Sequence, residues 1–181
     1  MSSFRRLDER EIYQGFAIRV TNETFESPTG EIFDRDIVHA IPAVAVVPVL
    51  PGNQVVCVRQ YRPALQRELL EIPAGMCDVE GEPLADTAQR ELGEEAGYRA
   101  NQLERLCVYH GSAGFSDARL TIFLGLDLVP VPTQSHSEEE QHMTVEHIAL
   151  EDTLELVRTE AIVDAKTIIG LLLARERLGI R

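Results

Sequence analysis

The sequence has no tryptophan, three cysteines, and aromatic residues at only 6% of its 181 positions. Cys57, Cys77 and Cys107 are odd in number and have no CxxC spacing. That suggests neither a zinc site nor a disulfide framework, and buried free thiols in a reducing cytoplasm are the preferred reading. Basic residues are also scarce, with 17 Lys and Arg against 30 Asp and Glu, for a net charge of −13. A nucleic-acid surface needs a basic patch, so that class of partner is excluded. A small anionic substrate stays compatible, provided metal ions and local arginines offset the field. Long apolar runs are missing too. The longest, residues 41–50, is interrupted by Pro42 and Pro48 and is too short to span a bilayer. The N-terminal MSSFRRLDEREIY lacks the apolar core of a signal peptide. These absences predict a soluble, cytoplasmic protein with no membrane partner. What is present is a 44% hydrophobic composition over a length typical of one domain, enough for a proper core.

Against this background one stretch stands out, AGMCDVEGEPLADTAQRELGEEAGY at residues 74–98. Pro83 suits the first turn of a helix and Gly97 the position just past its end, so residues 83–96 are predicted as one short helix. At the α-helical angle, Glu91 and Glu95 lie about 40° apart, one turn above the other, with Glu94 on their flank. Ala85, Leu92 and Ala96 fall on an adjoining stripe suited to packing on a core. Clustered carboxylates repel by a few tenths of a kcal/mol per pair, roughly, and by more when partly buried. A divalent cation reverses that sign, and Mg²⁺ is commonly held by one or two carboxylates plus substrate phosphates. An arbitrary Glu-Glu pair is better explained as a solvated face. Here Glu82, Arg90-Glu91, Glu94-Glu95 and Gly97 stand at fixed offsets, and a solvated face does not require that.

The stretch resembles the signature of the Nudix hydrolases, G-x5-E-x7-R-E-U-x-E-E-x-G-U, with U apolar. Glu82, Arg90, Glu91, Leu92, Glu94, Glu95 and Gly97 match it residue for residue. Six residues separate Gly75 from Glu82 instead of five, which lengthens the entering loop and leaves the helix register untouched. Tyr98 fills the last apolar place. The resemblance implies an α/β/α sandwich on a mixed sheet, with Mg²⁺ (or Mn²⁺) held by Glu91 and Glu95. Glu94 would assist, and the Ala74 carbonyl would contact a metal. Arg90 would orient the carboxylates.

Elsewhere the chain is read as an N-terminal strand region, residues 1–40, followed by the hydrolase domain, residues 41–181. Residues 12–21 and 32–39 are predicted as a strand pair around a Ser27-Pro28-Thr29-Gly30 turn. A hairpin this small must pack on something else. In the ADP-ribose-specific branch of the Nudix family such a sheet is exchanged across a homodimer and helps form the adenosine site. Further strands are predicted at 43–49, 54–59, 103–109, 121–129 and 143–150, with helices at 151–159 and 164–178. Asp164 is the expected N-cap of the last helix and Gly179 its stop.

The segment Arg59-Gln60-Tyr61-Arg62 to Glu71-Ile72-Pro73-Ala74-Gly75 resembles the lead-in of ADP-ribose pyrophosphatases. A guanidinium there can bind a pyrophosphate or pair with Glu71, and Arg62 is placed ahead of Arg59 as the substrate contact. Residues 112–117, SAGFSD, resemble the S-P-G-F-S-D substrate loop of that branch, with Gly114 and Phe115 retained and Ala113 in place of its proline. Residues 130–142 form a polar, proline-punctuated loop whose glutamates are, in most proteins, a solvated tip. In the ADP-ribose branch a loop of this kind carries the glutamate that activates water. Alignment on Met143 and Val145 assigns that role to Glu139, with Glu140 next. The expected reaction is hydrolysis of ADP-ribose to AMP and ribose 5-phosphate. The alternatives are hydrolysis of another nucleoside diphosphate derivative, such as a nucleotide sugar or dinucleoside polyphosphate, or a sensor that binds without cleaving.

Overall fold

The computed structural model describes residues 3–133 and 141–180. The chain forms two compact units, one comprising Met1–Pro42 with Tyr109–Arg119, the other Ala43–Val108 with Leu120–Arg181.

The first unit is a three-stranded antiparallel sheet in the order β1 (Arg5–Gln14), β2 (Ile18–Glu26), β3 (Ile32–Ala40). The expected strand over residues 12–21 is thus two strands. Gly15 turns the chain between them, its N–H donating to the Ile18 carbonyl at 2.9 Å. A turn without an Asn-Gly or Asp-Gly pair leaves little mark in the residue pattern. The second turn falls at Ser27–Gly30 as expected, with Gly30 N–H donating to Ser27 at 2.9 Å. The 109–119 segment is tied to β3. Val38 N–H donates to the Phe115 carbonyl at 2.8 Å, and Asp117 accepts from Ala40 N–H at 3.0 Å. His39 lies between carboxylates, 2.6 Å from Asp117 and 3.1 Å from the buried Glu23.

The second unit is built on a mixed sheet. Its strands are β4 (Ala43–Leu50), β5 (Gln54–Arg62), β6 (Arg67–Glu71), β7 (Ala74–Met76), β8 (Tyr98–His110), β9 (Arg119–Pro130) and β10 (Thr144–Ala149). The central order is β10-β5-β4-β9-β8, with β6 added to β5 and β7 to β4. β4 and β9 run parallel, Val46 opposite Phe123, while β4–β5, β5–β10, β5–β6 and β4–β7 are antiparallel. β4 and the first half of β5, Val55 to Val58, are almost wholly buried, which explains why they read as apolar runs.

Alternation along β4 feeds two helix layers. Val44 and Val46 join Ala88, Leu92 and Ala96 of helix α1 (Leu84–Ala96) in one cluster. On the other side, helix α3 (Ala165–Leu178) comes so close that a Cβ on Gly170 would stand 2.9 Å from Ile72 and Val47. A short 3₁₀ turn, Leu150–Asp152, and helix α2 (Thr153–Arg158) precede α3. The result is the α/β/α sandwich expected from the sequence.

Helix α1 starts after Pro83 and stops at Gly97, whose φ of 71° is left-handed and costs a glycine little. One expectation is corrected. Ala85 is exposed, and Ala88, a single turn from Leu92, takes the core position. Asp164 caps α3 by accepting from Thr167 N–H at 2.9 Å, and Gly179 ends it in the left-handed region. Among the described residues none of the three cysteines forms a disulfide, and Cys57 is fully buried. Among the described residues no helix is long and apolar enough to cross a membrane.

Candidate active site

The site grows from the contact between strand β7 and helix α1. Pairing of Ala74 and Gly75 with Ala45 and Val44 holds β7 at the edge of β4. From there the Ala74 N–H donates to Glu95 Oε2 at 2.8 Å. Gly75 lies so near Glu91 that a Cβ would fall 2.0 Å from its carboxyl carbon. Only a residue without a side chain allows the strand to sit flat against the carboxylate.

Arg90 is the hub of the acidic cluster. Its guanidinium reaches Glu91 at 2.6 Å, Glu94 at 3.2 Å, Glu82 at 3.3 Å and Asp78 at 3.5 Å. Glu91 and Glu95 nevertheless remain hard to ionise. Burial pushes the Glu91 carboxyl up to about 7, with Glu94 adding repulsion and Arg90 opposing it. Burial likewise pushes Glu95 up to about 8, against the hydrogen bond from Ala74 and with further repulsion from Glu91. Two carboxyls held in a poorly solvated place are costly until a cation arrives.

Arg90, Glu91, Glu94 and Glu95 line a cleft of about 490 Å³, with Gln60 and Arg62 also on its wall. Arg62 comes from β5 and forms a two-point pair with Glu71, Nε to Oε1 at 2.8 Å and Nη2 to Oε2 at 2.5 Å. Glu71 is buried, and Lys166 of α3 reaches the same carboxylate. Burial alone would raise its pKa, but Arg62 and Lys166 together hold it below the usual carboxylate range.

The donors fit a hard divalent cation in their chemistry. All are oxygens, two are carboxylates one turn apart, and their repulsion is relieved by positive charge. No group of three His, Cys, Asp or Glu among the described residues is already in ligating geometry.

The sequence matches the NUDIX domain over residues 39–168, more than half of the chain. The chain belongs to the Nudix hydrolase family. This Nudix hydrolase is 35% identical over 163 residues to the ADP-ribose pyrophosphatase of Bacillus subtilis (strain 168), covering 90% of the chain and 88% of that relative. It is 30% identical over 167 residues to the methanol dehydrogenase activator of Bacillus methanolicus, covering 92% of the chain and 90% of the relative. The crystal structure of an ADP compounds hydrolase matches with a TM-score of 0.87 at 22% identity, covering 97% of this chain and 94% of that one. At that identity the likeness speaks to the fold.

The Nudix helix thus brings together Arg90, Glu91, Glu94 and Glu95, with Ala74 and Arg62 at the same cleft. Arg59, by contrast, does not line it. Its guanidinium makes a two-point pair with Glu146 of β10, at 2.5 and 3.1 Å. Gly114 and Phe115 belong to the first compact unit, where the Phe115 side chain is exposed. Glu139 and Glu140 lie outside the described residues. Sequence reasoning missed Gln60, buried in the cleft wall, and Asp78 beside Arg90. It also missed Lys166, whose contact with Glu71 spans 95 positions.

Proposed function

We propose that this Nudix hydrolase cleaves the pyrophosphate bond of ADP-ribose, giving AMP and ribose 5-phosphate, with Mg²⁺ as its cation. The observation that carries the reading is the half-buried Glu91–Glu95 pair sharing one cleft with Arg62. Similarity to an ADP-ribose pyrophosphatase over nine-tenths of the chain supports the choice of substrate. Glu91 and Glu95 would hold the cation, with Glu94 and the Ala74 carbonyl assisting. Mn²⁺ suits the same oxygen donors. When bound, the cation supplies Lewis acidity at phosphorus and offsets the charge of the diphosphate.

The protein's own groups do the rest. Arg90 holds the acidic side chains in register through its ion pairs. Arg62, fixed by Glu71, presents a guanidinium edge to a phosphate oxygen in the cleft. Glu139 removes a proton from the attacking water, a role worth about 10²–10⁴-fold in rate. Glu140 is the next candidate for that role.

A second reading keeps the reaction and changes the substrate to another nucleoside diphosphate derivative. Ala113, in place of the proline of the resembling loop, is the observation that favours it. Incubating the protein with ADP-ribose and Mg²⁺, with and without EDTA, and resolving the products tests the first reading. EDTA-sensitive AMP and ribose 5-phosphate are expected. Intact ADP-ribose beside a cleaved nucleotide sugar would replace the first reading with the second.

A further inference from the structure

Lys166 stands in the first turn of α3, far in sequence from the Nudix helix, yet its side chain is only 9% exposed. Its ammonium contacts Glu71 Oε2 and lies 3.0 Å from Asp164 Oδ2. The same Asp164 oxygen accepts from Thr167 N–H at 2.9 Å and from Thr167 Oγ1 at 2.7 Å. Thr167 Oγ1 in turn accepts from Ile72 N–H at 3.0 Å. The start of α3 is therefore stitched to residues 71 and 72, just ahead of Ala74 and Gly75.

The charges make this more than packing. Arg62 and Lys166 face Glu71 and Asp164, so the cluster is balanced. Glu71 engages Arg62 through Nε and Nη2. Nη1 makes no hydrogen bond to protein among the described residues, and Arg62 lines the cleft. A guanidinium held by one edge points its other edge in a fixed direction. Because Lys166 also binds Glu71, the carboxylate's charge is shared, and Arg62 keeps more of its attraction for an anion.

We propose that Lys166 is a positioning residue for substrate binding, acting through Glu71 to aim and electrostatically free the Arg62 guanidinium for the diphosphate. The proposal rests on the hydrolase reading above for its substrate, but not for its geometry. It is tested with the full-length protein as wild type, Lys166→Met, Lys166→Arg and the charge-balanced pair Lys166→Met with Glu71→Gln. Each is melted thermally and assayed on whichever of ADP-ribose, a nucleotide sugar and a dinucleoside polyphosphate the wild type cleaves. If none is cleaved, the dissociation constant for ADP, measured by calorimetry, replaces KM.

Lys166→Met is expected to raise KM about tenfold while lowering kcat by no more than about threefold, the pattern of lost binding. Lys166→Arg should recover most of that loss. The balanced pair should regain stability relative to Lys166→Met, because the two buried charges, Lys166 and Glu71, are removed together, yet keep the raised KM. It also supplies the reading if Lys166→Met fails to fold. A wild-type KM or ADP affinity in the balanced pair would overturn the proposal and leave Lys166 as a structural ion. Undetectable ADP binding by a wild type that cleaves nothing would overturn both readings. Cleavage of a different diphosphate with the expected KM pattern would overturn only the choice of ADP-ribose.

Discussion

Glu95 accepts the Ala74 N–H and sits beside Glu91 in a place that disfavours its charge. The amide of a glutamine can still accept that hydrogen bond through its oxygen while carrying no charge. Glu95→Gln is therefore expected to keep the fold, with a melting temperature at or above wild type. Its Mg²⁺-dependent turnover should fall by more than about 100-fold, beyond the usual loss at an outer-sphere partner. Joint loss of folding and activity would count against a metal role. A pH prediction follows from the same pair. Both carboxyls ionise near 4.5 when unperturbed, and at about 7 and about 8 in the fold. Between those values the folded chain binds more protons than the unfolded one, so stability falls as pH rises. In EDTA the melting temperature should decline from roughly pH 5 to pH 8 and then level off. Saturating Mg²⁺, which binds the ionised folded site, should offset the decline. A metal-free melting temperature that rises across this window would show that the pair is already ionised without a cation.

At the scale of elements, the Nudix helix was legible because its information is local. Pro83 and Gly97 mark its ends, and the spacing of Glu91, Glu94 and Glu95 defines its acidic face without reference to the rest of the chain. The cap at Asp164 and the stop at Gly179 were legible for the same reason. Elements defined by partners were not. β6 and β7 are short strands added to β5 and β4, and only the pairing partner makes them strands. Ala85 was given the place of Ala88 because alanines at both positions fit a helical stripe, and the sheet decides between them. Lys166 was invisible because no periodicity connects α3 to Glu71. The closeness of α3 to the sheet gives a further prediction. Gly170→Val would push methyl groups into Ile72 and Val47, where even a Cβ stands only 2.9 Å away. Overpacking of this kind costs about 1–3 kcal/mol. Denaturant unfolding should show that loss with an unchanged m-value, since the helix and the sheet both remain.

For the whole molecule, the feature that a single chain leaves unexplained is the first compact unit. All ten residues of β1 are exposed, and Phe16 is 85%, Phe4 63% and Ile12 55% exposed. Exposed apolar surface of this kind marks an interaction face. The family resemblance supplies a second subunit as the cover, and we propose a homodimer built through this sheet. Sedimentation equilibrium should then give twice the chain mass of 20.2 kDa. The melting temperature should rise with protein concentration, as mass action requires when only the folded state associates. Replacing Ile12 and Phe16 together by aspartate puts two charges on the exposed apolar surface without touching the Nudix cleft. The variant is expected to sediment as a monomer and to melt lower. If the exchanged sheet also shapes the adenosine site, its KM should rise more than its kcat falls, because Glu91, Glu95 and Arg90 stay in place. A wild type that sediments at the monomer mass with a concentration-independent melting temperature would remove the dimer. The exposed strand would then have to be stable on the strength of its own chain.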